Sequence, residues 1–484
     1  MPRTPSGPLA HASSPTAPAS TAAFVGLGLC LFAACIVGIL SRPTGFLASF
    51  WPANALMLGL LLRLPQLAHW KAWAVALTAF VLADCLTGSD LPTALWLSVA
   101  NLCGVACGWW FLHRLHPALL GLRRQTSTLY LFAGCALAAA GSTLVGADTG
   151  AQLFRNSWSQ TALMWFSTEL MNFVLIVPLI LSAPGRGQAF WPRIASARAA
   201  LLLLLPLLSV IAAEYAAITL GGPGALAFTV PALLWCALSY RLFTTTLLSM
   251  LVCTWKVACV SMGVFDFTPL HLEAAVSLRL GLTLLSLGPL AVACSQVARN
   301  ELMRRLDHAV NHDFLTSTLA RGAFLSQGQR LLERLHRQAV PSAVLMLDID
   351  HFKRVNDLHG HPAGDALLCA LAQTVSQVLR PQDLLGRMGG EEFAVLLPGV
   401  PAATAQQVAT RICAAVRDQR LPLPGGAVLQ ATVSIGLVLT DGSPQTLEGL
   451  LHAADAALYQ AKAAGRDRWQ LNLARADLAV SPLA

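Results

Sequence analysis

Residues 389 to 393 read Gly389-Gly390-Glu391-Glu392-Phe393 and lie between two apolar runs. A Gly-Gly pair between strand-like segments marks a tight hairpin, because glycine takes positive φ at no steric cost. Two adjacent carboxylates at such a tip repel each other and bury nothing. They suit a hard divalent cation, which takes carboxylate oxygens and shares its shell with phosphates. Upstream, Val344-Leu345-Met346-Leu347-Asp348-Ile349-Asp350 is an apolar strand ending in carboxylates. Together the two segments imply metal-dependent phosphoryl or nucleotidyl transfer.

Three further segments carry suitable groups. Asp348-Ile349-Asp350-His351-Phe352-Lys353 gathers carboxylates, free backbone amides and a lysine at one strand end, the parts needed to hold a metal and a triphosphate. Asn356 to Asp365, through Gly360-His361, reads as a turn followed by a helix start. Its Asn and Asp side chains match the donors and acceptors of a purine edge, or simply cap the helix. Lys462 and Arg466, four apart, read as one face of a helix end that could grip phosphates, or as a solvated face.

These segments need a scaffold, and the order of elements supplies one. Helices are expected near 322–336, 364–379, 402–418 and 446–464. Strands are expected near 343–349 and 428–438, with the hairpin around 389–390. That order describes an α/β sandwich with a central sheet.

The rest of the chain is different in kind. Of 484 residues, 55% are hydrophobic and only 12% charged, about half the charge of a soluble domain. Spans of bilayer length are expected near 23–40, 45–62, 71–87, 92–112, 128–146, 162–182, 199–220, 225–239, 242–263 and 278–297, with eight to ten crossing. Residues 1–22 read as a disordered tail, 298–312 as a linker helix, 313–472 as the catalytic domain and 473–484 as a second tail. Arg63, Lys71, Arg114, Arg123, Arg124, Arg186, Arg193, Arg198 and Arg241 fall in alternate loops; the opposite loops hold Arg42 and Arg155 with Asp90, Asp148 and Asp266. This bias puts both ends on the cytoplasmic side of an inner (cytoplasmic) membrane. The net charge of +8 is thus read as membrane orientation, with the lipid bilayer as partner and no nucleic acid. Asp84, Glu169, Glu214 and Lys256 fall inside spans, where each costs at least about 2.5 kcal/mol by insertion scales. They imply a ligand or ion pocket, or hydrogen bonding between helices. The twelve cysteines include no CxxC pair and read as small apolar residues. Leu302, Leu306, Ala309 and Val310 form a short apolar stripe on the linker helix, which either pairs two chains or packs on the next domain.

Residues 20–297 resemble a membrane-associated sensor domain of the MASE type, on Phe50-Trp51-Pro52-Ala53-Asn54-Ala55, Leu82-Ala83-Asp84-Cys85 and Val99-Ala100-Asn101. From His312 the chain resembles the GGDEF family, the diguanylate cyclases. The matching strings are His312-Asp313-x-Leu315-Thr316, Asp348 to Lys353, Gly360-His361-x-x-Gly364-Asp365 and Arg387-x-Gly389-Gly390-Glu391-Glu392-Phe393. Val433-Ser434-Ile435-Gly436 and Ala454-Asp455-x-Ala457-Leu458-Tyr459-x-Ala461-Lys462 follow. One departure stands out: Thr316-Ser317-Thr318-Leu319-Ala320-Arg321 occupies the place where the family reads Thr-Gly-Leu-x-Asn-Arg.

The resemblance implies a polytopic α-helical membrane bundle followed by a catalytic domain with a mostly antiparallel central sheet flanked by helices. It implies condensation of two GTP into cyclic di-GMP by a homodimer through the catalytic domain. Asp348, the Ile349 carbonyl, Glu391 and Glu392 would hold Mg²⁺ or Mn²⁺, and Glu391 would take the ribose 3′-hydroxyl proton. Asn356 and Asp365 would read guanine with His361 nearby; Phe352, Lys353, Lys462 and Arg466 would hold phosphates. Arg380-Pro381-Gln382-Asp383 would form an inhibitory site for the product. The alternatives are a catalytically silent receptor for cyclic di-GMP and, from the apolar half alone, a transporter.

Overall fold

The computed structural model describes residues 20–41, 50–154, 157–185, 197–262, 272–423 and 428–473. The expected tails therefore lie almost wholly outside the described residues, as do Arg42, Arg155, Arg186, Arg193 and Asp266. The chain divides into two compact units, Met1–Glu301 and Leu302–Ala484.

The first unit is helical. Its elements are α1 (Thr21–Leu40), α2 (Pro52–Arg63), α3 (Trp70–Leu86), α4 (Leu91–Leu112), the short α5 (Pro117–Leu120), α6 (Ser127–Phe154), α7 (Trp158–Ser182), α8 (Ala197–Leu220), α9 (Val230–Ser239) and α10 (Leu242–Ser261). The last helix, α11 (Leu272–Asn311), runs for 40 residues. Every expected apolar segment is a helix near its expected place. Length makes the difference: among the described residues seven helices are long and apolar enough to cross a membrane. The segment expected at 71–87 forms a helix of 17 residues, just under that length. Those expected at 45–62 and 225–239 shrink to helices of 12 and 10 residues. At 1.5 Å per residue these fall well short of the roughly 30 Å hydrocarbon layer. The sequence places Pro52 at the first turn of α2 and Pro231 at that of α9, where proline's missing N–H does no harm and starts the helix late. Seven such helices are compatible with a multi-pass membrane protein.

Helix contacts in this unit are close where side chains are small. A Cβ on Gly108 would come within 2.8 Å of Ala138 and 2.9 Å of Leu58, so α4 lies tight against α6 and α2. Arg63 closes one helix end: its guanidinium donates to the carbonyls of Ile180 (2.6 Å) and Leu181 (3.0 Å) in the last turn of α7, where the helix has few N–H donors of its own to offer. Lys256 and Glu214 meet at 3.0 Å, joining α10 to α8. For that pair, bonding between helices accounts for the charges.

The second unit carries β1 (Leu319–Ala320), α12 (Arg321–Arg337), β2 (Ser342–Ile349), α13 (Phe352–His359), α14 (His361–Val378), β3 (Leu384–Gly389), β4 (Glu392–Pro398), α15 (Ala402–Asp418), β5 (Leu421–Pro422), β6 (Val428–Leu429), β7 (Val433–Thr440), α16 (Leu447–Ala463) and β8 (Trp469–Leu473). Six strands form one sheet in the order β1-β3-β4-β2-β7-β8, and β5 and β6 pair separately. Only β1–β3 and β7–β8 are parallel, so the sheet is mostly antiparallel as expected. β2 is buried along its whole length. One face packs on α14 and α15 through Leu345, Leu347, Leu371 and Ile412. The other packs on α12 and α16 through Val344, Phe324, Leu451 and Leu458. An apolar run bounded by carboxylates therefore reads as a central strand with its chemistry at one end.

Gly436, in β7, lies so near α16 that a Cβ there would stand 1.8 Å from the Ala454 carbonyl oxygen and 2.4 Å from the Leu458 nitrogen. Ser317 stands where the family's glycine is expected and has φ 58°, a conformation that costs a side chain about 1 kcal/mol. Ser317→Gly is accordingly expected to raise the melting temperature by about 1–3 °C. A thermal melt showing a lower value would mean that the serine side chain contributes more than the strain removes.

Candidate active site

The hairpin is irregular in a useful way. Arg387 pairs with Phe393 and Gly389 with Glu392, and the register slips between them. Gly390 has φ 53°, the left-handed region that glycine enters freely. The turn lifts Glu391 to the tip and makes Glu392 the first residue of β4. There Glu392 lies directly opposite Asp348 at the end of β2. Like charges in facing positions repel, so nothing in sheet formation favours this pair.

The electrostatics record the conflict. Burial is the main force raising the Asp348 carboxyl above its ordinary range; Lys462 opposes it, while Glu391 and Asp350 add to it. Glu392 is raised by desolvation, then by Asp348 and Asp455. Lys462 Nζ sits 2.8 Å from Asp348 Oδ2, one cation among the carboxylates of Asp348, Asp350, Glu391, Glu392 and Asp455. A second source of positive charge fits here, and oxygen donors select a hard one. Among the described residues no three His, Cys, Asp or Glu side chains already converge as a metal cage. Mg²⁺ needs none: it keeps several waters and takes one or two carboxylates with substrate phosphates.

Asp350 has another task. It accepts hydrogen bonds from Thr432 Oγ1 (2.7 Å), Ser434 Oγ (2.7 Å) and the Asp467 backbone nitrogen (3.1 Å). Asp467 in turn accepts from Arg417 Nε at 2.6 Å. Asp350 thus ties the turn after α16 to the end of β2, beside Asp348. The expected pairing of Lys462 and Arg466 on one helix face is corrected here. α16 stops at Ala463, and Gly465, Arg466 and Asp467 all take positive φ. Arg466 is an exposed turn residue and Lys462 a residue of the last helical turn.

The expected turn around Asn356 is also corrected. His351 caps α13 with φ 59°, and Phe352 and Lys353 open that helix. Their amides are unpaired by the helix, and its dipole favours anions there. Asn356 lies inside α13. The chain breaks only at Gly360, φ 79°, before His361 and Asp365 open α14. Gly364 is the hinge of the arrangement: a Cβ there would stand 2.0 Å from Asn356 Oδ1. Asn356, His361 and Asp365 are thus brought to the junction of two helices.

Arg380 and Asp383 sit apart, on the loop from α14 to β3. Asp383 Oδ2 accepts from the Arg380 backbone nitrogen at 2.8 Å, and its Oδ1 is buried without a partner. The Arg380 side chain is exposed.

One contact carries no role in the sequence reading. Arg387 donates from Nε and Nη2 to the Gly390 carbonyl (3.0 and 2.8 Å) and from Nη1 to Asp313 Oδ1 (3.1 Å). Asp313 also accepts from the nitrogen and hydroxyl of Thr316. Although burial pushes its carboxyl up, these bonds hold Asp313 below its ordinary value. The signal was present in the Asp-x-Leu-Thr and Arg-x-Gly-Gly strings, whose spacing does not reveal that they meet.

Residues 310–468 match the family described as "Diguanylate cyclase, GGDEF domain". Over 439 residues the chain is 30% identical to a probable diguanylate cyclase, DgcF, of Escherichia coli O157:H7, covering 89% of this chain and 91% of that protein. Its counterpart in strain K12 is 33% identical over 311 residues, 63% of this chain and 95% of that one. Among solved structures, the coiled coil and GGDEF domain of DgcB from Caulobacter crescentus, in complex with c-di-GMP, is 28% identical. It covers 37% of this chain and 94% of that one, with a TM-score of 0.35. The second unit is a nucleotide-condensing enzyme domain preceded by a helical unit. The chain belongs to the GGDEF family of diguanylate cyclases.

Proposed function

We propose that this cyclase is a multi-pass protein of the cytoplasmic membrane, with its catalytic domain on the cytoplasmic side. The helical unit acts as a MASE-type sensor and cyclic di-GMP inhibits its own synthesis. The observation that carries the catalytic reading is the register that sets Glu392 opposite Asp348 with Glu391 at the adjoining tip.

Asp348, the Ile349 carbonyl, Glu391 and Glu392 hold Mg²⁺ or Mn²⁺. When bound, the ion supplies positive charge that lowers the 3′-hydroxyl pKa and offsets charge on the triphosphate. The amides of Phe352 and Lys353, with the Lys353, Lys462 and Arg466 side chains, hold phosphate oxygens. Asn356 and Asp365 pair with the guanine edge beside His361. Glu391 accepts the 3′-hydroxyl proton as the oxygen attacks the α-phosphorus of a second GTP; the new P–O bond forms and pyrophosphate leaves. Two such steps close the ring and release two pyrophosphates. Each domain positions one GTP, so a two-fold homodimer brings the pair face to face. Leu302, Leu306 and Val310 are exposed at the C-terminal end of α11, which supports pairing of two chains there.

The test is incubation of the purified full chain with GTP and Mg²⁺. Cyclic di-GMP and pyrophosphate in a 1:2 ratio are expected. Tight binding of cyclic di-GMP with no turnover would instead establish the silent receptor. For the inhibitory site, Arg380→Ala is expected to raise the product concentration that halves the initial rate by at least about tenfold, since a lost charge-assisted bond is worth about 1.5–3 kcal/mol. Unchanged inhibition would remove Arg380 and Asp383 from that role.

A further inference from the structure

Three helices of the first unit bring amide and carboxylate side chains together in an otherwise apolar interior. Asn54 of α2 donates from Nδ2 to Asn101 Oδ1 of α4 at 2.9 Å and to Glu169 Oε1 of α7 at 2.8 Å. Asn172 lies one turn beyond Glu169 on α7 and donates to the Thr168 carbonyl at 2.8 Å. Asn54 and Asn172 are fully buried, and Asn101 and Glu169 are 4% exposed.

Three acceptors of this cluster are left over. Both Asn54 Nδ2 hydrogens are used. Yet Asn54 Oδ1, Glu169 Oε2 and Asn172 Oδ1 are buried with no hydrogen-bond partner among the described residues. Inside an apolar bundle such groups are expensive, because no lipid can serve them. Three oxygens of one polarity call for a cation or a strong donor. The charge count narrows the choice. Glu169 is the one carboxylate of the cluster, so a single positive charge neutralises it, whereas a dication would leave a net charge in hydrocarbon. Oxygen donors without nitrogen or sulfur point to a hard alkali cation rather than a transition metal. The buried ion pair of Lys256 with Glu214 neutralises its own charge.

We propose that Asn54, Glu169 and Asn172 form a binding site for a small monovalent cation between α2, α4 and α7. As the input of a sensor, this rests on the sensor reading above. As a binding site it does not, and its test reads unfolding rather than turnover.

The experiment uses the full chain in lipid nanodiscs. Thermal unfolding is followed while NaCl replaces N-methylglucamine chloride at constant ionic strength. A saturating rise of about 4 °C is expected for the parent. Glu169→Gln, which keeps the shape and the bond from Asn54, should abolish the rise. Asn172→Ala, whose side chain only bonds its own helix, should move its midpoint to at least about fivefold higher Na⁺. No dependence on Na⁺, or on K⁺ or Li⁺ in its place, overturns the proposal. So does an unaltered rise in Glu169→Gln. If Glu169→Gln does not fold, an unshifted midpoint in Asn172→Ala overturns it alone.

Discussion

Glu391→Gln is expected to lower cyclic di-GMP synthesis by about 10²–10⁴-fold, the usual contribution of a positioned general base, while leaving the fold intact. The side chain is at the tip of a hairpin whose backbone is fixed by Gly390 and by Arg387, and neither contact involves the Glu391 carboxylate. Glutamine has nearly the same shape. It removes a negative charge from beside Asp348 and Glu392, both raised by burial first and by neighbouring carboxylates second. The domain therefore loses no packing, and the melting temperature should stay within about 2 °C of the parent. What is lost is a carboxylate that can take a proton and share a cation. Single-turnover product formation with GTP and Mg²⁺ measures the effect. Parent-like turnover by a folded variant would sink the assignment of Glu391.

Gly436→Ala is expected to cost about 3 kcal/mol or more, which corresponds to a drop of about 6–12 °C in melting temperature. The added methyl would meet the Ala454 carbonyl and the Leu458 nitrogen, both backbone atoms of α16. Neither can turn aside as a flexible side chain would. Relief requires the helix to move off β7, a strand paired on both sides with β2 and β8. Lys462 travels with that helix and leaves Asp348, so activity should fall with stability. A melt within about 2 °C of the parent would show that the helix can slide at little expense.

Most of the second unit is legible in the sequence because its pattern is dictated by burial. Ala343 to Leu347, Phe393 to Leu397 and Ile435 to Val438 are continuous apolar runs, as strands covered on both faces must be. Helix bounds at Ala402–Asp418 were readable to the residue. What was not legible depends on contacts between distant segments. Asp348 and Asp350 look alike on paper. Only the positions of Thr432, Ser434 and Asp467 separate the one exposed to repulsion from the one saturated with donors. Asn356 looked like a turn residue because Gly360 and Pro362 dominate the local signal; the helix before them is short and bends only at Gly360. Arg466 misled because helical spacing was extended past Gly465, where the chain turns left-handed. In the first unit, hydropathy located every helix except the four-residue α5 but not the helix lengths, since Pro52 and Pro231 delay the start of two of them.

The bond between Arg387 and Asp313 joins residues 74 apart in sequence, and it redraws where the catalytic module begins. A transplant that starts after Asp313 would retain all six strands and every proposed ligand. It would nonetheless free the arginine that grips the carbonyl beside Glu391. Chimaeras that exchange the input half therefore need their junction ahead of His312. Within that constraint the donor helix must deliver the chain to Asp313 in register and supply the pairing proposed for Leu302, Leu306 and Val310. The splice point can therefore move back along α11 but not past its end.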